Sequence, residues 1–146
     1  MTLDVGADLA PVVKEITQEK INRYAQAGGD GNPLHTDPQF AAKTMFGGTI
    51  AHGMLILAYL SEMMTAAFGE DWLSGGRLKV RFKAPSRPGD TVTSAGRVLR
   101  IEDGRTVCAV ECRSQRDEVL VAGEADCPRT QTRAAGACLG PTEVTV

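Results

Sequence analysis

The sequence has almost no net charge and none of the marks of an exported or membrane-spanning chain. Its 16 Lys and Arg against 18 Asp and Glu give a formal charge of −2, which disfavours nucleic acid or an anionic membrane as the main partner. The first residues lack the basic start and apolar core of a signal peptide, so we expect a cytoplasmic protein. The longest apolar run, residues 50–68, contains His52, Ser61 and Glu62 and is too polar to cross a membrane.

Cysteine and histidine are also scarce, and their spacing matches no disulfide framework or metal motif. The four cysteines contain no Cys-x-x-Cys pair, and the two histidines, His35 and His52, form no His-Glu-x-x-His motif. We therefore expect reduced thiols, with Cys108 and Cys112 as small core residues on one face of a strand. The same spacing leads us to expect no metal site.

The first third of the chain predicts helices on either side of a loop rich in glycine. Thr17 is suited to cap a helix over residues 18–27, because its hydroxyl can accept from the first unpaired N–H groups. Residues 28–37 combine glycines with a proline and predict an ordered loop. Asp37 stands directly before a proline, so it predicts the start of a short helix that ends near residue 47.

The remainder predicts one long helix followed by a sheet. Residues 51–68 carry apolar side chains on every side, so this helix must be wrapped by other elements. Residues 78–84 alternate between an apolar face that includes Phe82 and a basic face, which is typical of a half-buried strand. Predicted strands span residues 12–16, 78–84, 91–101, 106–114 and 118–126. We predict a single α+β domain over residues 1–146, an antiparallel sheet of about five strands wrapped around a long central helix, with a loose tail from about residue 128.

The loop before the second helix carries the residues best suited to chemistry. Asp30, Asn32 and His35 place a carboxylate, an amide and an imidazole within six residues. A histidine beside a carboxylate can transfer protons near neutral pH. Spacing alone is equally consistent with turn-forming residues and a histidine that packs the loop, so both interpretations stay open at this point.

The same loop closely resembles the hydratase-2 motif of the MaoC-like dehydratase family. The matching residues are Gly-Asp-Gly-Asn-Pro-Leu-His at 29–35, followed by Asp-Pro at 37–38 and Phe-Ala at 40–41. Ala-His-Gly-Met-Leu at 51–55 and the segment 82–90 resemble that family's helix start and strand with turn, so the resemblance covers residues 12–127. It departs at Gly28, where many relatives carry a small hydroxyl residue. The resemblance implies a hot-dog fold, usually dimeric or built from dimer-like pairs.

The resemblance also implies an activity and a role for each matching residue. It implies (R)-specific hydration of 2-enoyl-CoA thioesters to 3-hydroxyacyl-CoA, or the reverse dehydration, with no cofactor beyond the coenzyme A of the substrate. Asp30 and His35 match the catalytic pair, Asn32 matches the amide that helps to hold it, and the backbone N–H of Gly53 faces the thioester oxygen. Ser61 matches a site residue on the central helix. His52 is interpreted as a capping or packing residue and not as a second acid–base group.

Two other functions and several partners stay open. A hot-dog thioesterase would act on the same class of substrate, and a non-catalytic hot-dog subunit would only bind acyl thioesters. The carrier is either coenzyme A or acyl-carrier protein. Basic residues near the strand over 78–84 are candidates for the coenzyme A phosphates, with a solvated strand face as the alternative: Lys79, Arg81, Lys83 and Arg87. Unpaired sheet edges predict a homodimer or a larger oligomer built from dimers. Acyl length and the identity of the base stay undetermined.

Overall fold

The computed structural model describes residues 3–129 and 143–145, which fold into a sheet packed against one long helix. The elements are β1 (Val12–Glu15), α1 (Gln18–Gly28), α2 (Pro33–Thr36), α3 (Pro38–Ala42), α4 (Gly53–Phe68), α5 (Glu70–Gly75), β2 (Arg77–Phe82), β3 (Thr91–Glu102), β4 (Arg105–Arg113), β5 (Val119–Pro128) and β6 (Glu143–Thr145). None of the helices within these residues could serve as a membrane span.

The sheet follows the predicted meander and adds one strand. Its order is β1-β3-β4-β5-β2-β6, and the first five of these strands pair antiparallel. The strand β6 runs parallel to β2 over Arg77 to Lys79, so the sheet is mixed and not purely antiparallel. The predicted loose tail differs from the structure at residues 143–145, which form this strand, while residues 130–142 lie outside the described residues.

The helix α4 forms the centre of the core, as its apolar sides predict. It contacts β1, β3, β4 and β5, and its buried side chains are Leu55, Ile56, Leu57, Leu60, Met63 and Met64. The short helix α5 was not predicted, and it places the buried Trp72 beside α4. Gly69 separates the two helices with φ 56°, a left-handed conformation that glycine adopts without strain.

Two boundaries in the first third differ from the prediction. The loop predicted over residues 28–37 contains a single helical turn, α2, with Asn32 as its N-cap. The helix α3 begins at Asp37 as predicted, with its carboxylate accepting from two backbone N–H groups, but it ends at Ala42. Thr44 ends it early, because its hydroxyl bonds to the carbonyl oxygen of Ala41 and also accepts from the N–H of Phe46.

The cysteines of the sheet are free thiols buried in the core, as predicted for Cys108 and Cys112. Burial raises the pKa of Cys108 and Cys112 to about 11 and that of Cys127 to about 12. Such thiols stay protonated near neutral pH and are poor nucleophiles. Cys138 lies outside the described residues.

The turn between β2 and β3 is fixed by Asp90, whose side chain is buried. Its carboxylate accepts from the backbone N–H of Arg87, from Nε2 of Gln115 and from the guanidinium of Arg116, each at 3.0 Å. The carbonyl oxygen of Ser86 in the same turn accepts from the N–H of Ala51 at 2.7 Å. This turn therefore helps to hold the start of α4.

Candidate functional site

The end of α1 determines where the motif loop, residues 29–37, leaves the helix. Gly29 caps α1 with φ 69°, and its N–H donates to the carbonyl oxygen of Ala25. The N–H of Asp30 donates to the same oxygen at 3.0 Å. A left-handed residue at this position is the usual helix end that glycine permits. The chain then turns, and the exposed Asp30 follows Gly29 as the second residue of the loop.

Asn32 links the two ends of the motif. Its backbone N–H lies 3.2 Å from Oδ1 of Asp30, and its own Oδ1 accepts from the N–H of Leu34 at 3.0 Å. Its carbonyl oxygen accepts from the N–H of His35 at 3.0 Å. The side-chain amide therefore caps the single turn α2, while the backbone of Asn32 links Asp30 to His35.

His35 is held by backbone contacts that determine which ring nitrogen is available. Its Nδ1 lies 2.8 Å from the carbonyl oxygen of Ile50, and because a carbonyl only accepts, Nδ1 carries the hydrogen in this contact. Nε2 is then the nitrogen free to exchange a proton. The backbone is held as well, since Nε2 of Gln18 donates to the carbonyl oxygen of His35 and the hydroxyl of Thr49 donates to Gln18.

His52 packs against the motif loop, and the sequence did not predict this contact. Its ring stacks on that of His35, with centroids 3.9 Å apart and planes 27° apart. Its Nε2 lies 3.0 Å from the carbonyl oxygen of Asp30. The ring is 2% exposed and makes no side-chain cap to α4, so it packs, as predicted, without capping. In the sequence, only the family resemblance of residues 51–55 drew attention to His52.

Asp30, His35 and His52 are close enough to be considered as metal ligands. Each offers one ligand atom, and these atoms lie within 4.8 Å of one another. Zinc would require ligands that converge on one point at about 2.0–2.2 Å. The two rings instead stack nearly parallel, and each already uses one nitrogen on a backbone carbonyl. This geometry disfavours a metal, and its absence stays a prediction.

Gly53 opens α4 one residue after the stacked His52. The first N–H groups of a helix have no partner within it, so this N–H can meet a developing negative charge. A Cβ on Gly53 would lie 2.9 Å from Cε1 of Phe82. The absence of a side chain therefore lets the Phe82 ring approach the helix start.

A cleft of about 310 Å³ lies beside Gly53. Its apolar lining comes from α4, β5 and the segment before α4, and it includes Ile50, Ile56, Leu120 and Val121. Phe82 also lines it. This side chain is 44% exposed, which corrects the prediction of a buried face: β2 ends at Phe82, so the ring lies over the start of α4. An apolar cleft of this kind suits an acyl chain or another apolar group.

The predicted substrate-binding residues are spread over the fold. Lys83 lines the cleft, and Arg81 is exposed on β2. The guanidinium of Arg87 donates to the carbonyl oxygen of Phe46, a residue of the cleft, so it supports the rim. Ser61 lies about 12 Å along α4 from Gly53, and its hydroxyl accepts from Nε1 of Trp72 at 2.9 Å. The structure thus brings Lys83, but not Ser61, to the cleft.

The helix wrapped by a meander, with the motif loop at the helix start, defines a hot-dog protein, and solved structures share this fold. The (R)-hydratase from Aeromonas caviae involved in PHA biosynthesis superposes with a TM-score of 0.76 at 31% identity, over 86% of this chain and 96% of that chain. The R-hydratase PhaJ1 from Pseudomonas aeruginosa gives 0.76 at 28% identity, over 94% of each chain. The predicted hot-dog fold is therefore confirmed.

The chain belongs to the MaoC-like domain family, whose model matches residues 5–119. One relative, 3-hydroxyacyl-thioester dehydratase Z of Mycobacterium tuberculosis, is 37% identical over 115 residues, which cover 70% of this chain and 76% of the relative. The (R)-specific enoyl-CoA hydratase of Aeromonas caviae is 32% identical over 127 residues, covering 85% and 93%. The family resemblance seen in the motif loop is therefore confirmed over most of the chain.

Proposed function

We propose that this protein is a hydro-lyase that interconverts 2-enoyl thioesters and (R)-3-hydroxyacyl thioesters. The observation that carries the proposal is the pairing of Asp30 and His35 on a loop fixed by backbone contacts, beside the start of α4. The polar atoms of the two side chains lie within 4.8 Å of each other, and His52, which contacts both residues, directly precedes Gly53. An acid–base pair and a donor for negative charge are what this reaction needs.

In hydration, the two side chains hold one water molecule between them. One of them removes a proton from the water as its oxygen bonds to Cβ, and the other delivers a proton to Cα. The free Nε2 of His35 can take or give a proton, because Nδ1 is held by the carbonyl oxygen of Ile50. Asp30 is exposed and can do the same. In dehydration the same steps run in reverse.

The N–H of Gly53 supports this reaction by stabilising the enolate-like oxygen of the thioester. A donor fixed at a helix start needs no rearrangement as the charge develops. Because only water and a proton move, we propose that no cofactor is needed beyond the thioester's own carrier. Coenzyme A and acyl-carrier protein are both suitable carriers.

Turnover of a panel of 2-enoyl-CoA thioesters tests the proposal directly. The enoyl absorbance should fall, chiral analysis should give the (R)-3-hydroxyacyl product, and no free thiol should appear. Release of free thiol would instead identify a thioesterase. A failure to convert any thioester, whether carried by coenzyme A or by acyl-carrier protein, together with measurable binding of an acyl thioester, would identify a subunit that only binds.

We propose that Lys83 and Arg81 hold the coenzyme A phosphates. Lys83 lines the cleft, and the exposed Arg81 lies two residues before it, near the end of β2. Replacing either by Ala should raise KM more than it lowers kcat, and the effect should shrink as salt screens the charges. Of the predicted cations, Lys79 is the matched control, because it does not line the cleft and its backbone pairs with that of the acidic residue Glu124 on β5. An unchanged KM in both variants would show that these cations are solvated surface residues that do not bind coenzyme A.

We further propose a homodimer, or a larger oligomer built from dimers. Within residues 3–129 and 143–145, β6 pairs with the outer edge of β2 only over Arg77 to Lys79. The remainder of that edge ends at the exposed Phe82, and unpaired edges of this kind favour pairing with another chain. Sedimentation velocity should give a dimer at micromolar concentration. A monomer alone at that concentration would contradict the proposal.

A further inference from the structure

His52 contacts both members of the proposed catalytic pair and directly precedes Gly53. We propose that it is a positioning residue, which fixes Asp30 through the backbone and His35 through ring stacking. This inference rests on the proposed hydro-lyase function. The two contacts join the motif loop to the start of α4, so they determine how the carboxylate, the imidazole and the N–H of Gly53 are placed relative to one another.

The contact with Asp30 defines the tautomer of His52. Its Nε2 lies 3.0 Å from the carbonyl oxygen of Asp30, so this nitrogen donates and carries the hydrogen. Nδ1 is then an acceptor in the neutral ring. It is buried and has no hydrogen-bond partner among the described residues.

The unpaired Nδ1 argues for a positioning role over one in stability. A buried polar atom without a partner is destabilising, and an apolar ring of similar shape would fill the same space without that cost. Such exceptions among buried polar groups point to a functional constraint. Here the constraint is the need for a ring that both stacks on His35 and donates to Asp30.

The same contacts exclude a direct catalytic role for His52. Its Nε2 is used by the carbonyl oxygen of Asp30, its Nδ1 is buried, and the residue is 2% exposed. Tyr24 lies against the ring, with centroids 4.8 Å apart. Neither nitrogen of His52 is therefore open to substrate, and the ring acts through its two neighbours.

Three variants separate the two contacts. His52→Gln keeps an N–H donor but loses the stacked ring, His52→Phe keeps a ring but loses the donor, and His52→Ala loses both. Because a displacement of about 1 Å can cost on the order of 10²-fold in rate, we expect kcat for crotonyl-CoA to fall by about 10-fold to 100-fold. KM should change by less than about threefold. The Gln and Phe variants should each retain more activity than the Ala variant.

Nitrogen-15 spectroscopy of the imidazole rings provides a readout that general destabilisation would not change. The chain has two histidines, so the spectrum contains only two rings. In the wild type, His52 should carry its hydrogen on Nε2 and His35 on Nδ1. In His52→Ala, the His35 ring loses the ring on which it stacks, so Nδ1 should no longer be held at the carbonyl oxygen of Ile50 and His35 should show a mixture of tautomers. Val98→Ala is the control, because it removes core contacts in β3 and should leave both kcat and the His35 tautomer unchanged.

The outcomes distinguish this inference from the function on which it rests. If the wild type hydrates crotonyl-CoA and all three folded variants keep kcat within about twofold, the positioning role is overturned and the hydro-lyase assignment stands. If the variants do not fold, the wild-type spectrum decides, since a His52 protonated on Nδ1 contradicts the contact with Asp30. A wild type that converts no thioester would overturn the function and the positioning role together.

Discussion

Replacing Asp30 by Asn or His35 by Ala should lower kcat for hydration of crotonyl-CoA by about 10²-fold or more, the size of a typical general acid–base contribution. Asp30→Asn keeps the shape of the side chain but removes its basicity, and His35→Ala removes the free Nε2. Both residues lie on the motif loop and not in the core, so the fold should survive. Loss of enoyl absorbance measures turnover, and circular dichroism checks the fold.

The double variant tests whether the two groups act on one water molecule. The effects of substituting groups that act as a unit are strongly non-additive. The double variant should therefore lower kcat only slightly more than the worse single variant. Asp103→Asn is a matched control, because Asp103 is an exposed carboxylate of the β3–β4 hairpin at φ 51°, a conformation that Asn tolerates. Near-normal turnover in folded Asp30→Asn or His35→Ala protein would show that these loop residues have a structural and not a catalytic role.

Replacing Asp90 by Asn should lower the free energy of unfolding by about 1–3 kcal/mol, because this buried side chain then loses one of the two oxygen atoms that accept hydrogen bonds. Asp90 is 3% exposed, and an amide can accept on only one of the two atoms that now bind Arg87, Gln115 and Arg116. Urea unfolding measures the loss. Asp117→Asn is the control, since this carboxylate is 86% exposed in its pair with Arg113, and it should change stability by less than about 0.5 kcal/mol.

The same carboxylate should make stability depend on pH. Burial alone would raise the pKa of Asp90, but the hydrogen bonds from Arg116, Arg87 and Gln115 outweigh it and hold the pKa below its usual value. A lowered pKa stabilises the fold above the unfolded value of about 3.9, and this contribution is lost as the pH falls through the folded pKa. Below about pH 5, the wild type should therefore lose stability more steeply than Asp90→Asn. If the free energy of unfolding fell equally with pH in the wild type and in Asp90→Asn, this assignment would be contradicted.

The sequence predicted the elements that depend on local patterns. The alternation in β2 and the all-round apolar surface of α4 predicted a wrapped central helix, which the structure confirms. The six residues of α5 were missed because Gly69 ends the preceding pattern. The strand β6 was missed because its partner, β2, lies more than sixty residues earlier. Alternation assigned Phe82 to a buried face, but it could not show that the strand ends there.

The motif predicted which side chains gather on the loop but not what holds them. Asp30, Asn32 and His35 lie close in sequence, so their spacing and the family resemblance were sufficient. The acceptor for His35 is a backbone atom 15 residues away, and the donor to the Asp30 carbonyl is 22 residues away. Every residue has a backbone carbonyl oxygen, so the sequence does not show which one accepts a hydrogen bond. Such contacts are visible only in the folded chain. The Trp72 partner of Ser61 was missed for the same reason.

Ile50 contributes to the site through two separable parts of one residue. Its carbonyl oxygen anchors the ring of His35, while the residue also lines the apolar cleft. Every amino acid supplies that oxygen, so an exchange at position 50 can reshape the cleft without removing the anchor. A single substitution at position 50 can therefore change substrate preference while proton transfer stays intact. This makes position 50 a suitable starting point for directed evolution.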